Sequence, residues 1–487
     1  MKKITIDPIT RLEGHGKIDI FLNESGDVEN AYLQVPELRG FEKFCEGKYV
    51  EELPRITPKI CGVCPEAHHL AGTKAVDAVY SVDPPIAAKK LRELFYCAHM
   101  IHSHIAHFYA LAGPDFILGP DAPPEQRNIL GVVAKVGLDL GKEVIKHRAY
   151  AQQIQELIGG RATQPVCGLP GGNSKSINEA ERKTIEEKSR ACLEFAKLTI
   201  KIFEDIVLKN KDYVDIILSK DLYYIETYYM GLVDKNNKVN FYDGDIRVVD
   251  PTGKQYLKFA PADYLKHMAE HVEKWSYMKF VYLKAIGWKG LVGGMDSGIY
   301  QVAPLGRLNA SEGMATPLAQ VEYEKMYKTL GAKPAHNTLA NHWARVIEIL
   351  YAAERMLELS LDADITSEDI RKIPTAVPNE GVGVVEAPRG TLFHHYKTDE
   401  SGITKKVNLI VATGNNYAAM CATIAKVAKK LIIKGKADNK ALNMVEMAFR
   451  TYDPCLSCAT HAIAGEMPLI LNVHDHDGNL VDSVRRD

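Results

Sequence analysis

The 487 residues lack any apolar stretch of the roughly 20 residues that a bilayer crossing needs. Leu409 to Ala412 is short, and Phe280 to Gly290 is interrupted by Lys284 and Lys289. Charge of one sign is also missing: 60 Lys and Arg stand against 62 Asp and Glu, a formal net charge of -2. No whole-chain positive field is available to attract nucleic acid or an anionic membrane. The start, Met1-Lys2-Lys3-Ile4-Thr5-Ile6-Asp7, has no apolar segment of signal-peptide length, so a cytoplasmic location is expected. Cysteine is scarce and odd in number, nine in all, which argues against a disulfide framework and for reduced thiols. Hydrophobic residues at 46% and charged residues at 25% are ordinary values, so a folded chain with a sizeable core is expected and disorder as its main state is excluded.

Patterning along the chain predicts a mainly helical α+β fold with long central helices, an N-terminal β-hairpin and small peripheral β regions. Alternation in Lys17-Ile18-Asp19-Ile20 and Ala31-Tyr32-Leu33-Gln34-Val35, around a turn at Asn23 to Asp27, predicts the hairpin. Leu91, Leu94, Phe95, Ala98 and Ile101 recur at spacings of three and four, predicting a helix from Pro85 to Ala112 that Gly113-Pro114 ends. Further helices are expected over Glu125 to Ile158, Ile177 to Lys209, His336 to Leu361, Asn416 to Ile433 and Lys440 to Thr451. Gly159 to Gly172 reads as a loop, and 213–330 as irregular α+β structure with a strand at Ile246 to Val249. Strands are expected at Gly381 to Glu386, Thr391 to Tyr396 and Lys406 to Thr413.

Four of the cysteines form two CxxC pairs, Cys61-Gly62-Val63-Cys64 and Cys455-Leu456-Ser457-Cys458. One such turn brings two thiolates to a point, and two turns supply the four soft ligands of a tetrahedral or cluster site. The pairs lie 394 residues apart (455 - 61), far beyond the local knuckle of a zinc ribbon. Spacing alone leaves structural zinc, an iron-sulfur or other redox metal, and two unrelated turns all open. Each pair has a nearby His, His68 and His461, and a nearby acid, Glu66 and Asp453.

Around these pairs the chain closely resembles the catalytic large subunit of nickel-iron hydrogenases. The resemblance is carried by Arg11-Leu12-Glu13-Gly14-His15, Arg39-Gly40-Phe41-Glu42, Ile60 to Cys64 with His68, Glu386-Ala387-Pro388-Arg389-Gly390, and Asp453 to Cys458 with His461. It runs from residue 11 to residue 461 and implies one catalytic domain over 1–461. By that resemblance the four cysteines hold nickel, Cys61 and Cys455 terminally, while Cys64 and Cys458 bridge to an iron carrying one CO and two cyanides. Dihydrogen would be split heterolytically, its proton passing to the Cys455 thiolate and then to Glu13. Arg389 would set a fixed cation over the open coordination position, Asp453 would orient it, and His68 would hydrogen-bond a bridging thiolate. Thr413 and Pro388 would face the diatomic ligands. A magnesium ion is implied as well, held by Glu42, His461 and the Leu409 carbonyl.

Three positions depart from common family forms: Ser103 in His102-Ser103-His104 where some members carry an acid, Lys59 where Arg is common, and Gln164 where many have His. Family precursors usually lose the residues after the final His to a maturation protease, so 462–487 is expected to be a removable tail. The remaining cysteines, 45, 97, 167, 192 and 421, are too scattered for an electron relay, so an iron-sulfur small subunit is expected. The phrasing of Pro58 to Cys61 and Ala459 to Ala462 is most similar to the cytoplasmic methyl-viologen-reducing hydrogenases of methanogenic archaea, which implies heterodisulfide reductase and a further electron-transfer subunit. Deazaflavin-reducing and sulfur- or NADP-linked enzymes are the alternatives. A non-catalytic scaffold relative would lack the four cysteines kept here.

Overall fold

A computed structural model of the chain describes residues 2–463 and 469–486. The N-terminal hairpin gains a third strand: β1 (Lys2–Ile6), β2 (Lys17–Leu22) and β3 (Val28–Gln34) form an antiparallel sheet in that order. Ile18, Ile20, Leu22, Ala31 and Leu33 face the core from it. A short helix α1 (Phe41–Cys45) leads to the first cysteine turn and to α2 (Pro65–Val79). The turn runs straight into that helix, since Cys64 is its N-cap and Pro65, with no N–H to lose, opens it.

Helix α3 (Ile86–Ala106) does not stop at Gly113-Pro114. It widens into a π-helical turn over His107–Ala112 and continues as α4 (Gly113–Ile117), because Pro114 sits in a first turn where its missing donor costs nothing. The expected single helix over 125–158 is two, α5 (Ile129–Val136) and α6 (Leu138–Gly159), separated at Gly137 with φ 94°. Helix α7 (Glu179–Phe203) opens on a capping box between Asn178 and Glu181. The region 213–330 holds a sheet of β4 (Tyr228–Val233), β5 (Asp245–Val249), β6 (Gln255–Phe259) and β7 (Tyr300–Gln301), followed by α8 (Pro304–Ala310) and α9 (Pro317–Leu330). Helix α10 (Asn341–Ser360) packs against α3 and α7, and α6 closes the group, giving a four-helix centre.

The sheet of β8 (Glu380–Ala387), β9 (Gly390–Thr398) and β10 (Thr404–Ile410) is central rather than peripheral. Gly390 to Tyr396 are all buried, because α2 covers β8 and β9. The expected strand to Thr413 ends at Ile410, and α11 (Ala412–Leu431) begins earlier than its pattern suggested, with Thr413 in its first turn. Helix α12 (Asn439–Arg450) then brings the chain to the second cysteine turn and α13 (Leu456–Ala459). In the 462–487 tail, β11 (Leu469–His474) pairs with β12 (Leu480–Arg486), while 464–468 and Asp487 lie outside the described residues. Among the described residues no helix is long and apolar enough to cross a membrane.

Candidate metal centre

Both cysteine turns are set by backbone contacts between distant segments. Glu13 and Cys455 form a parallel bridge, with the Leu456 N–H donating to the Glu13 carbonyl at 3.0 Å. Gly14, at φ +88°, lies so close that a Cβ there would stand 2.9 Å from both Leu456 Cβ and Ser457 N. Arg11 anchors the same loop through Asp115 at 2.6 Å, and Asp115 in turn holds Arg450 at 2.7 Å. The Arg39 guanidinium donates to the carbonyls of Ile60 and Ser457, joining the first cysteine turn to the second. The sequence motif marks Arg39, but only the fold shows that it ties the two turns together.

The four motif cysteines converge. Their sulfurs all lie within 4.8 Å of one another, buried and not joined as disulfides. Cys61 and Cys455 are 3.0 Å apart, Cys64 and Cys458 3.1 Å, and Cys455 and Cys458 2.8 Å. Hydrogen bonds from Cys455 first, then Cys458 and Cys64, together with Arg389, pull the Cys61 thiol well below its ordinary range. Burial, reinforced by the neighbouring sulfurs, pushes Cys455 well above it. Four buried thiolates this close together require a cation among them. The donor set fits a soft metal. The other cysteines are buried core thiols: burial pushes Cys45, Cys192 and Cys421 up to about 12, which keeps them protonated and unreactive.

Around the quartet stand the remaining motif residues. Glu13 Oε2 lies 2.9 Å from Cys455 Sγ and accepts from the Ser457 N–H at 3.1 Å. Burial raises the Glu13 carboxyl above its ordinary value, and the Cys61 charge adds to this. Arg389 is buried in the turn between β8 and β9, with Nη2 3.1 Å from Asp453 and Nη1 3.5 Å from Ser103 Oγ. Burial works against its charge, but Asp453 and the sulfurs outweigh it and hold the guanidinium protonated. Asn416 on α11 fixes the Arg389 carbonyl at 2.8 Å. His68 Nε2 is 3.4 Å from Cys458 Sγ, and burial lowers this imidazole to about 4, so it is neutral. Thr413 Oγ1 accepts from the Cys455 N–H at 3.0 Å.

The Pro388 carbonyl accepts from Arg307 at 3.2 Å. Arg307 belongs to a buried network that sequence reasoning missed. It pairs with Glu348 at 2.6 Å and Glu386 at 3.0 Å, and His104 reaches Glu348 at 2.9 Å. Burial raises Glu386 to about 7, against the opposing pull of Arg307. Only the presence of Glu386 beside Pro388 and Arg389 hinted that the turn needs such support.

Glu42, His461 and Leu409 also come together. Glu42 Oε1 accepts from the Leu409 N–H at 2.7 Å and lies 3.5 Å from His461 Nε2. Among the described residues that imidazole nitrogen is buried without a hydrogen-bond partner, while Nδ1 faces the Cys458 carbonyl at 2.8 Å. The Lys279 ammonium stands 3.7 Å from the other Glu42 oxygen. Ala462 is buried and Ile463 is 68% exposed.

Comparison with known proteins agrees with this geometry. The family model described as nickel-dependent hydrogenase matches residues 39–122 and 241–461, and a HoxL-like model matches residues 3–38. The iron-sulfur subunit of the F420-non-reducing hydrogenase of Archaeoglobus profundus is 48% identical over 486 residues, covering 100% of both chains. The corresponding subunit of the F420-non-reducing hydrogenase of Methanothermobacter marburgensis is 42% identical over 491 residues, covering 99% of this chain and 100% of that one. The crystal structure of an NAD+-reducing nickel-iron hydrogenase in its H2-reduced state superposes with a TM-score of 0.88 at 35% identity, covering 95% of this chain and 100% of that one. A quartet of buried thiols drawn from both ends of a chain that matches such proteins along its whole length places it in a family: it belongs to the large subunits of the nickel-dependent hydrogenases, oxidoreductases that act on dihydrogen.

Proposed function

We propose that this chain cleaves dihydrogen heterolytically and reversibly at a nickel-iron pair held by Cys61, Cys64, Cys455 and Cys458, with Glu13 as the first proton acceptor beyond the sulfurs. The observation that carries this reading is the 2.9 Å contact between Cys455 Sγ and Glu13 Oε2, a direct hydrogen-bonded exit from the quartet. When bound, the metal pair supplies the site that binds dihydrogen and takes up its electrons. Cys455 Sγ takes the proton released beside it and hands it to Glu13 Oε2. The Ser457 N–H holds that oxygen in line. Arg389 contributes a charge that consumes no proton, held in place by Asp453. His68 directs a ring nitrogen at Cys458, and Thr413, whose oxygen already accepts from Cys455, keeps its own proton for a cyanide on iron. Pro388 presents an apolar ring to the CO and cyanide ligands.

Glu42, the Leu409 carbonyl and His461 Nε2, which has no hydrogen-bond partner among the described residues, are the proposed magnesium ligands, since a hard cation takes oxygen donors and water readily. The tail 462–487 is proposed to be cleaved after His461 by a maturation protease, as the resemblance to the family implies. Electrons would leave to an iron-sulfur small subunit, because the remaining cysteines are buried and dispersed. From there the proposed route leads to heterodisulfide reductase through a further electron-transfer subunit, in the cytoplasm. The relatives named F420-non-reducing support it over a deazaflavin acceptor. An NAD-linked acceptor is the second reading, favoured by the likeness to the NAD+-reducing enzyme.

The test is isotope exchange between D2 and water by the assembled enzyme. Glu13→Gln should keep the wild-type nickel content and lose exchange by roughly 10²- to 10⁴-fold, the usual contribution of a positioned proton acceptor. Exchange at the wild-type rate would remove Glu13 from the route.

A further inference from the structure

The strands that present Pro388 and Arg389 meet in a two-residue connection: Ala387, the last residue of β8, pairs with Gly390, the first of β9, and leaves Pro388 and Arg389 as the tip. Two-residue connections that suit the twist of paired strands begin with a residue at positive φ. A proline ring fixes φ at about −65°, so Pro388 cannot supply it, and Arg389 is not at positive φ either. The tip therefore owes its shape to contacts from outside the hairpin. Arg307 of α8, fully buried, supplies most of them and uses all five of its N–H groups. Its Nε and Nη2 donate to the two oxygens of Glu348 on α10, at 2.7 and 2.6 Å. Its Nη1 donates to Glu386 at 3.0 Å and to the Ala387 carbonyl, and Nη2 donates also to the Pro388 carbonyl at 3.2 Å. Asn416 of α11 takes the next carbonyl, that of Arg389, at 2.8 Å, while its own oxygen accepts from the N–H groups of Val302 and Ala303 at 2.8 and 3.1 Å. Three successive carbonyls of the tip are thus held by donors from two helices. A guanidinium only donates and a carbonyl only accepts, so the direction of each Arg307 bond is fixed by chemistry alone.

We infer that Arg307 is the positioning residue that fixes the Pro388–Arg389 tip: by gripping the Ala387 and Pro388 carbonyls it sets where the Pro388 ring and the Arg389 guanidinium stand at the metal centre. The inference rests on the proposed nickel-iron reading for what the tip faces, and goes beyond it in assigning work to a residue outside the cysteine motifs and the Glu386-to-Gly390 motif. Lysine is the informative replacement. Its ammonium keeps the charge between Glu348 and Glu386, but a single point cannot serve two carboxylates and two carbonyls at once. The tip then keeps its charge balance and loses its grip, and the Pro388 ring takes up a range of positions instead of one. A CO that faces that ring meets a range of surroundings.

The experiment compares fully assembled wild type with Arg307→Lys, reading amide hydrogen exchange by mass spectrometry and the infrared CO band at matched nickel content. Arg92→Lys is the control, since Arg92 is likewise buried and donates to a carboxylate, Asp77, and to two carbonyls of another loop, those of Leu169 and Gly172. In Arg307→Lys we expect the amides of Arg389 to Thr391 to exchange roughly 10- to 100-fold faster, as the loss of one or two hydrogen bonds from a charged donor requires, and the CO band to broaden. In Arg92→Lys we expect faster exchange at 168–173 and a CO band that coincides with wild type. Wild-type exchange at the tip of Arg307→Lys, or a CO band as narrow as wild type, would overturn the assignment. Equal broadening in Arg92→Lys would overturn it too, because any loosened buried clamp would then give the signal. If Arg307→Lys does not fold, Glu348→Gln keeps the guanidinium, removes one of its two anchoring oxygens and must broaden the same band; an unchanged band there overturns the assignment as well. A wild type without any CO band would overturn the nickel-iron reading instead, while exchange at the tip still reports whether Arg307 holds it.

Discussion

At the scale of single residues, Glu13 and Arg389 carry opposite burdens. Glu13 must be deprotonated to accept from Cys455, and burial raises its carboxyl above the ordinary 4.5. Its acceptor form is therefore lost as pH falls through a value higher than a solvent-exposed glutamate would show. We expect the D2–water exchange rate to decline on that acid side above pH 4.5, and the decline to vanish from the residual rate of Glu13→Gln. Arg389 must stay charged and oriented, and its fork touches Asp453 on one nitrogen and Ser103 on the other. Lysine is a point charge without that fork, so Arg389→Lys should retain nickel yet lose about 10²- to 10³-fold in kcat, measured as dihydrogen-dependent dye reduction. Neither role is legible from composition or spacing, since a lone Glu or Arg in a loop reads as a surface charge. The resemblance supplied both candidates, and the fold brought each to the quartet. Ser103 is the converse case: its departure from the family form was plain in the sequence, but its contact with Arg389 was not.

At the scale of elements, the first cysteine pair is only as well placed as α2, whose N-cap is Cys64. That helix lies against β8 so closely that a Cβ on Gly383 would come within 2.1 Å of the Ala71 carbonyl oxygen and 2.3 Å of Ala75 N. Both are helix backbone atoms, and neither can step aside alone. Gly383→Ala should therefore displace α2, lower the thermal unfolding midpoint and reduce nickel per chain, read by metal analysis of the purified variant. Wild-type nickel content in that variant would show that α2 does not set the site. Helix α2 was invisible to pattern reading because 13 of its 15 residues are buried, which leaves no polar stripe to give a period. The amphipathic helices α7 and α10 were legible within a few residues for the opposite reason. The break at Gly137 and the passage through Gly113-Pro114 were not, because the same residues start a helix as readily as they end one.

At the scale of the whole molecule, the ends of the chain are fastened to one another through the metal site. The loop at Glu13 bridges to Cys455, Arg39 donates to both cysteine turns, and Glu42 reaches His461. A cation shared by Cys61, Cys64, Cys455 and Cys458 closes the same contact covalently, and it stabilises the folded chain by whatever affinity it has for that state. The 394-residue gap between the pairs pointed to such a closure, while the identity of the metal lay outside anything that thiol spacing records. The most direct measurement is nickel and iron analysis, with infrared spectroscopy in the CO and cyanide region, on the large subunit purified without oxygen from its native host. We expect nickel and iron near one each per chain together with the diatomic bands, and zinc without those bands in a fully matured preparation would contradict the reading and return the cysteines to a structural role.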